Sequence, residues 1–399
     1  MGDKTDAVCT ASAMSGADTL GPGGARREAD RAASFRILVI NPGSTSTKIA
    51  VFEDGAELLA KTVRHDTEEL RWFLDVQDQL GYRKEAIERE LTAEGIDLAG
   101  IDIFVGRGGG LVSVQSGAYP VTERLLADAR TGMAGQHPAQ LGSQICDLYA
   151  REYGGLAYIV NAPDVDEYDE ISRVSGLSDI YRQCHIHTLN HKEIALRYCH
   201  ANGIEYHRTN LIICHIGGGI SVAAHRQGRM VDGNDIIRGE GPMTPTRAGS
   251  LPTLDLLKLC YSGRFTEKEM KDRLSREGGL IDHLGTADAT EIEARIARGD
   301  TYAQLVYDAM IYQIAKSVGS CAVTLRGELR AIILTGGLAN SDYVIEALRG
   351  FVDWIAPVVV MAGEFEMEAL AAGALRVARG QEEVNIYTGI PVWSGFGEQ

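Results

Sequence analysis

The chain has 399 residues, of which 45% are hydrophobic and 24% charged, the proportions of a folded globular protein rather than a disordered one. Its formal net charge of −16 opposes any general attraction to nucleic acid or to an anionic membrane, so an anionic substrate needs cations gathered locally. Seven cysteines, an odd number without a C-x-x-C pair, fit reduced thiols better than a disulfide framework or a zinc site.

No run reaches the roughly 18–20 apolar residues of a membrane helix, and the N-terminus lacks a basic-then-apolar signal pattern. Both features point to a cytoplasmic protein. The length exceeds what one core of roughly 250–300 residues sustains, so two lobes are expected.

Residues 1–35 are rich in Gly, Ala, Ser and charge without a periodic apolar set, and read as a mobile extension. From Arg36 onward strands, Gly turns and helices alternate, which indicates an α/β protein. Apolar density predicts strands at 36–41, 47–53, 101–106, 156–161, 210–216, 219–225, 229–232, 331–335 and 357–361. Helices fill the intervals. "FTEKEMKDRL" carries Thr266 and Glu269 at capping-box spacing, and 301–325 is apolar on more than one face, which predicts a buried helix. Cys214, inside "LIICHIGGG", reads as a small core residue.

Three loops break apolar strands with small residues. In "RILVINPGSTSTKIAVFED" the run Ile37 to Ile40 stops at Asn41, and the turn supplies the hydroxyls of Ser44 and Ser46 and the cation of Lys48. Such a turn can wrap an anion with oriented N–H dipoles, although a plain hairpin turn accounts for the segment equally well. It is not a Walker A loop, whose pattern is absent from the chain. In "HIGGGIS", Gly217, Gly218 and Gly219 forfeit side-chain packing, which close approach of a polyphosphate explains and a bulged hairpin explains less well. In "AIILTGGLANS", Gly336 and Gly337 follow a strand and precede small residues that can open a helix, the usual place for a ligand in α/β proteins. The first two loops share a strand, turn, strand, Gly-turn order, as if one unit were used twice.

The ordered set NPGSTSTK, GRGGG, HIGGGIS, GEGPMTPTRAGSLP, ILTGGLANS and GEFEMEALAAGA resembles the acetokinase family of the sugar kinase and actin superfamily, from about Arg36 to near the C-terminus. The resemblance implies two similar actin-like, ribonuclease H-like α/β lobes, each with a mixed five-stranded sheet flanked by helices, and a nucleotide in the interlobe cleft. It places one lobe at 36–165, completed by 368–399, and the nucleotide-binding lobe at 166–367. It implies ATP or ADP as substrate, Mg²⁺, a short fatty acid phosphorylated reversibly to an acyl phosphate, and a homodimer or higher homo-oligomer.

Carried onto this chain, the resemblance gives catalytic roles to Arg107, Arg247, His187 and Asn41, and substrate contacts to Gly108, Gly109, Ile186 and Pro242. It assigns phosphate or nucleotide contacts to Ser44, Ser46, Lys48, His215, Gly217, Gly218, Gly219, Asp288, Gly336 and Gly337. Metal-side carboxylates are Glu366, Glu368 and Asp166. Two positions depart from the family: Asn161 stands where an Asp is common, with Asp164 or Asp166 as substitutes, and Thr290 stands where an Arg is common.

A fatty-acid carboxylate has a pKa near that of Glu, roughly 4.3, so the nucleophile arrives ionised and needs no base. Cationic positioning carries such a transfer, and bidentate guanidinium groups suit both carboxylate and phosphoryl. Gly108 and Gly109 replace a bulkier residue of acetate kinases, which predicts room for butyrate or a similar short or branched acid. An acetate- or propionate-type kinase is the near alternative. A sugar kinase, needing an Asp base, and a non-catalytic actin-like ATP-binding protein are the distant ones.

Overall fold

In the structure, a computed structural model, residues 34–133 and 135–397 are described. The expected mobile extension at 1–35 lies almost wholly outside them. Phe35 onward forms one unit.

The first sheet contains β1 (Arg36–Pro42), β2 (Ser46–Glu53), β3 (Ala56–Arg64), β4 (Ile103–Gly106), β5 (Ala118–Pro120) and β6 (Leu156–Val160), in the order β3-β2-β1-β4-β6-β5. A small hairpin of β7 (Val174–Leu177) and β8 (Ile180–Tyr181) follows. The second sheet contains β9 (Asn210–Ile216), β10 (Ile220–Arg226), β11 (Arg229–Gly233), β12 (Ala331–Thr335) and β13 (Val358–Val360), in the order β11-β10-β9-β12-β13.

Strand sense matches between them. β1 and β9 each pair antiparallel with the following strand and parallel with a later one, so the echo between the two loop segments extends to the topology of both sheets. The first sheet has six strands rather than the expected five, because β5 adds antiparallel to the edge of β6 and ends on Pro120, which cannot extend a ladder.

Both faces of each sheet are covered, which is why the central strands read as continuous apolar runs. Ile37 and Val39 pack with Ala369, Leu370, Ala374 and Leu375 of the helix Glu366–Ala378, while Leu38 and Ile40 pack with Ile87, Leu91, Leu141 and Ile145. Each such fully buried aliphatic contributes roughly 1.5–3 kcal/mol. In the second sheet Ile212, Cys214 and Ile216 face one side of the helix Thr301–Thr324, whose other side, against the expectation of a buried helix, exposes Tyr302, Leu305, Tyr312 and Val323; Leu211 and Ile213 face Ile194, Ala195 and Cys199 of the helix Thr188–Ala201. The helices Thr188–Ala201 and Glu366–Ala378 touch, and Leu189 joins the core of the first sheet. This pair of helices links the two sheets.

The register sets the site. Ile40 of β1 lies opposite Gly106 of the parallel strand β4, so Asn41 and Arg107 leave the sheet side by side at its carboxyl end. In the second sheet Thr335 of β12 lies opposite His215 of β9, which brings Gly336 beside the Gly217–Gly219 turn. The capping box at Thr266 and Glu269 forms as read, with reciprocal side-chain and main-chain hydrogen bonds.

Candidate active site

Loops from both sheets and the N-terminal turn of the helix Glu366–Ala378 meet around His187. From the first sheet, Asn41 is buried and donates from Nδ2 to Glu366 Oε2 at 2.8 Å. Arg107 Nη1 stands 3.6 Å from the other oxygen of Glu366. Lys48 is more exposed and lies 3.9 Å from Glu364. From the second sheet, His215 and His187 stack with ring centroids 4.0 Å apart, and His187, Arg107, Asn161, Ile186 and Glu366 line one small cavity.

Arg247 reaches this place across a bare turn. A Cβ added to Gly219 would lie 2.7 Å from Arg247 Nη1 and 3.4 Å from His187 Cε1, so the missing side chain is what lets the guanidinium and imidazole close on the loop. The arginine is held from behind: Nη1 donates to the Ile236 carbonyl at 3.0 Å, and its own N–H donates to Thr244 Oγ1 at 3.0 Å. Thr244 and Thr246 both donate to the Gly218 carbonyl, tying the arginine loop to the glycine turn. Arg247 and Pro242 also line a cavity of about 900 Å³ with Ile220, Ile236 and Leu256.

The imidazoles here are neutral. Burial pushes His187 well below the usual histidine range, and the charges of Arg247 and Arg107 and the rings of His215 and His191 push it further. His215 falls to about 4 through burial, with Arg107 reinforcing and Glu366 opposing.

Beneath the Asn41–Lys48 turn lies a residue that sequence reading missed. Arg83, from the helix Leu80–Ala93, is fully buried and donates to the Ser44 carbonyl at 3.1 Å, the Ser46 carbonyl at 3.3 Å and Thr47 Oγ1 at 3.1 Å. Its Nε donates to Gln79 at 3.0 Å, and among the described residues no carboxylate pairs with it. The turn is therefore clamped by a cation on the side away from solvent. Nothing in "LGYRKEAIERE" distinguishes that arginine from a surface one.

With this geometry in place, the chain can be compared with known proteins. Residues 178–354 match the model of the acetokinase family. Butyrate kinase 1 of Clostridium acetobutylicum is 42% identical over 353 residues, 88% of this chain and 99% of its own length. "Probable butyrate kinase 2" of Caldanaerobacter subterraneus subsp. tengcongensis is 46% identical over the same shares. The chain belongs to the acetokinase family. In fold it is similar to an acetate kinase from Porphyromonas gingivalis, with a TM-score of 0.69 at 20% identity, covering 86% of this chain and all of that one.

The structure also places other residues singled out from the acetokinase resemblance. Asp166 is buried in a bidentate ion pair with Arg173, at 2.6 and 2.7 Å, which uses its oxygens and withdraws it from the metal side. Asp288 is the exposed N-cap of the helix Ala289–Ala297, accepting from Thr290 N at 2.8 Å. Gly108 does not open space: its φ is +71°, and an added Cβ would meet Ile159 at 3.0 Å. At Gly108 the glycine answers a left-handed backbone backed by Ile159, while a Cβ on Gly109 would make ordinary contact with Ala139 and Gln140 at 3.7 Å. Glu368 stands with Glu366 in the first turn of the helix Glu366–Ala378, where the helix dipole favours carboxylates.

Asn161 is also explained. Its φ is +44°, a conformation asparagine tolerates, and it exchanges hydrogen bonds with Gly117 at 2.8 and 3.0 Å. The acid near it is Asp164, which accepts from Leu111 N at 3.2 Å and leaves Oδ2 buried and unpartnered. Burial raises Asp164 to about 7. Gly336, with φ at +89°, approaches Ile216 so closely that a Cβ would lie 2.5 Å from its carbonyl oxygen. That contact fixes the third glycine loop against the second.

Proposed function

We propose that this chain is a butyrate kinase, transferring the γ-phosphoryl group of ATP reversibly to the carboxylate of butyrate or a similar short or branched fatty acid. The observation that carries the reading is that two guanidinium groups meet at His187, Arg107 from the carboxyl end of β4 and Arg247 from the loop between β11 and the helix Thr253–Cys260. Relatives named butyrate kinase, at 42% and 46% identity over nearly their whole length, support the choice of acid.

In the reaction one carboxylate oxygen forms a bond to the γ-phosphorus as the bond to the β,γ-bridging oxygen breaks. ADP leaves with that oxygen and its electron pair, and no proton needs to move. The obstacle is repulsion between two anions, which Arg107 and Arg247 offset while His187 donates a neutral hydrogen bond to the transferring group. The amides of Gly218 and Gly219, in a turn closed by the Gly217 N–H donating to the Gly219 carbonyl at 3.1 Å, and the turn held by Arg83 receive the phosphates, with Lys48 at the rim.

Among the described residues no group of three or more His, Cys, Asp or Glu side chains could hold a metal ion. That suits Mg²⁺, which takes most of its ligands from phosphate and water. Glu366, loosely paired with Arg107, and Glu368 are the carboxylates that would hold it. When bound, the ion neutralises charge on the β- and γ-phosphates.

We further infer a cytoplasmic homo-oligomer. The exposed apolar side chains Val174, Leu177 and Ile180 of the small hairpin support burial against a second copy, which light scattering of the eluted protein tests. The reaction itself is tested by coupled ADP release with unbranched acids of two to six carbons and with isobutyrate and isovalerate. Butyrate or a close neighbour should give the highest kcat/KM. Turnover that ignores the acid would reject the reading.

A further inference from the structure

Behind His187 runs a series of buried polar side chains that phosphoryl transfer does not itself call for. His187 Nδ1 lies 2.8 Å from Ser221 Oγ, and the same oxygen lies 2.8 Å from His191 Nε2. His191 Nδ1 is 3.2 Å from His225 Nε2, and His225 Nδ1 is 2.7 Å from the hydroxyl of Tyr206. Ser221, His191 and His225 are all completely buried. The series therefore leads from the reacting centre, through the helix Thr188–Ala201 and strand β10, to Tyr206 behind the second sheet.

Its direction follows from proton counting. Burial holds His191 at about 3 and His225 well below the usual range, and His187 is likewise depressed, so each imidazole carries one N–H. Tyr206 is kept protonated by burial. Three imidazoles, a serine and a tyrosine thus bring five protons to four hydrogen bonds, and one donor is left over, at either end or, if Ser221 Oγ accepts from both imidazoles, at the serine itself.

If the leftover donor were the O–H of half-buried Tyr206 or of completely buried Ser221, it would have no protein acceptor, because among the described residues the tyrosine hydroxyl bonds only His225 and the serine hydroxyl only His187 and His191. Stranding a buried donor costs roughly 1–3 kcal/mol. With the opposite polarity all four bonds are made and the spare proton moves to the other end: Tyr206 donates to His225 Nδ1, His225 Nε2 to His191 Nδ1, His191 Nε2 to Ser221 Oγ, and Ser221 to His187 Nδ1. The leftover N–H is then Nε2 of His187, which lines the small cavity and has no hydrogen-bond partner among the described residues.

We propose that Tyr206, His225, His191 and Ser221 form a positioning relay that locks His187 as the Nε2–H tautomer, so that a neutral donor rather than a lone pair faces the transferring phosphoryl group. A lone pair there would repel the phosphoryl oxygens, whereas a fixed donor meets them without reorganisation. None of the four touches substrate; each acts through the next. The catalytic meaning rests on the acyl kinase reading above, but the tautomer itself does not.

The test has two arms on the full chain. Long-range proton–nitrogen correlation spectra of the protein labelled with ¹⁵N-histidine, assigned with a His187→Gln variant, should show His187 protonated at Nε2 and bare at Nδ1. Tyr206→Phe keeps the ring and removes only the terminal donor. It should shift His187 toward a tautomer mixture and lower kcat about tenfold, the worth of one well-placed hydrogen bond, with KM for acid and nucleotide within about twofold. A melting curve near that of the parent separates this from misfolding. His187 protonated at Nδ1 in the parent, or a Tyr206→Phe variant with unchanged tautomer and kcat, overturns the relay. A parent that shows the Nε2–H tautomer yet turns over no acid leaves the relay standing and rejects the kinase reading instead.

Discussion

Replacing Arg83 with methionine removes the guanidinium beneath the Asn41–Lys48 turn while keeping a long apolar stem. Four hydrogen bonds are lost, to the carbonyls of Ser44 and Ser46, to Thr47 Oγ1 and to Gln79. Bonds to a charged donor are worth roughly 1.5–3 kcal/mol each. Removing a buried cation relieves its desolvation, several kcal/mol, which offsets much of that loss. Burial strains this cation enough to lower its pKa to about 10. The expected net loss is about 3 kcal/mol in urea unfolding. The effect on catalysis is separate: a loosened turn binds phosphate less well, and KM for ATP should rise about tenfold, or ~1.4 kcal/mol, with KM for the acid little changed. Arg83→Lys keeps the charge but not the fork, and should recover less than half of that difference. If Arg83→Met matches the parent in both unfolding free energy and KM for ATP, the turn is not held from below as described.

Three further outcomes are expected. Gly336→Ala combines a positive φ with a Cβ 2.5 Å from the Ile216 carbonyl, so it should cost about 2–3 kcal/mol of stability and weaken nucleotide binding, read by urea midpoints and calorimetry. Arg247→Ala and Arg107→Ala should each lower kcat by about 10³-fold while ATP binding measured by calorimetry persists, since the cations act on the transferring group. His65 and His215, both depressed to about 4, and His191, at about 3, are neutral when folded and titrate near 6.5 when unfolded. The unfolded chain therefore binds more protons below that value, so their contribution is complete above ~6.5 and is lost as pH falls through it toward 4 and then 3. Unfolding free energy measured across that window should decline, and His65→Gln should flatten the decline.

The strands that build the two sheets were legible because both their faces are buried, which leaves an uninterrupted apolar run. Strand β3, "AELLAKTVR", was not, since it lies at a sheet edge with most side chains exposed and alternates with charge. The loops were legible through their glycines. Their supports were not: Arg83 is one arginine in a charged helix. The relay joins Tyr206, Ser221 and His225 to residues up to 34 positions away. A signal did exist, in that His187 and His191, four apart at a helix start, lie on one side, as do Ser221 and His225, four apart on a strand. Asp166 was illegible for the opposite reason, since its sequence context said nothing of the ion pair with Arg173.

A carboxylate already charged is brought onto the γ-phosphoryl group by cations, main-chain amides and the neutral His187 donor, with no general base. Phosphorus-31 NMR of the purified protein with ATP, Mg²⁺ and butyrate tests it most directly. An acyl phosphate signal growing in step with ADP, trappable as the hydroxamate, is the predicted result; ADP accompanied only by inorganic phosphate, or ATP left intact, would contradict it.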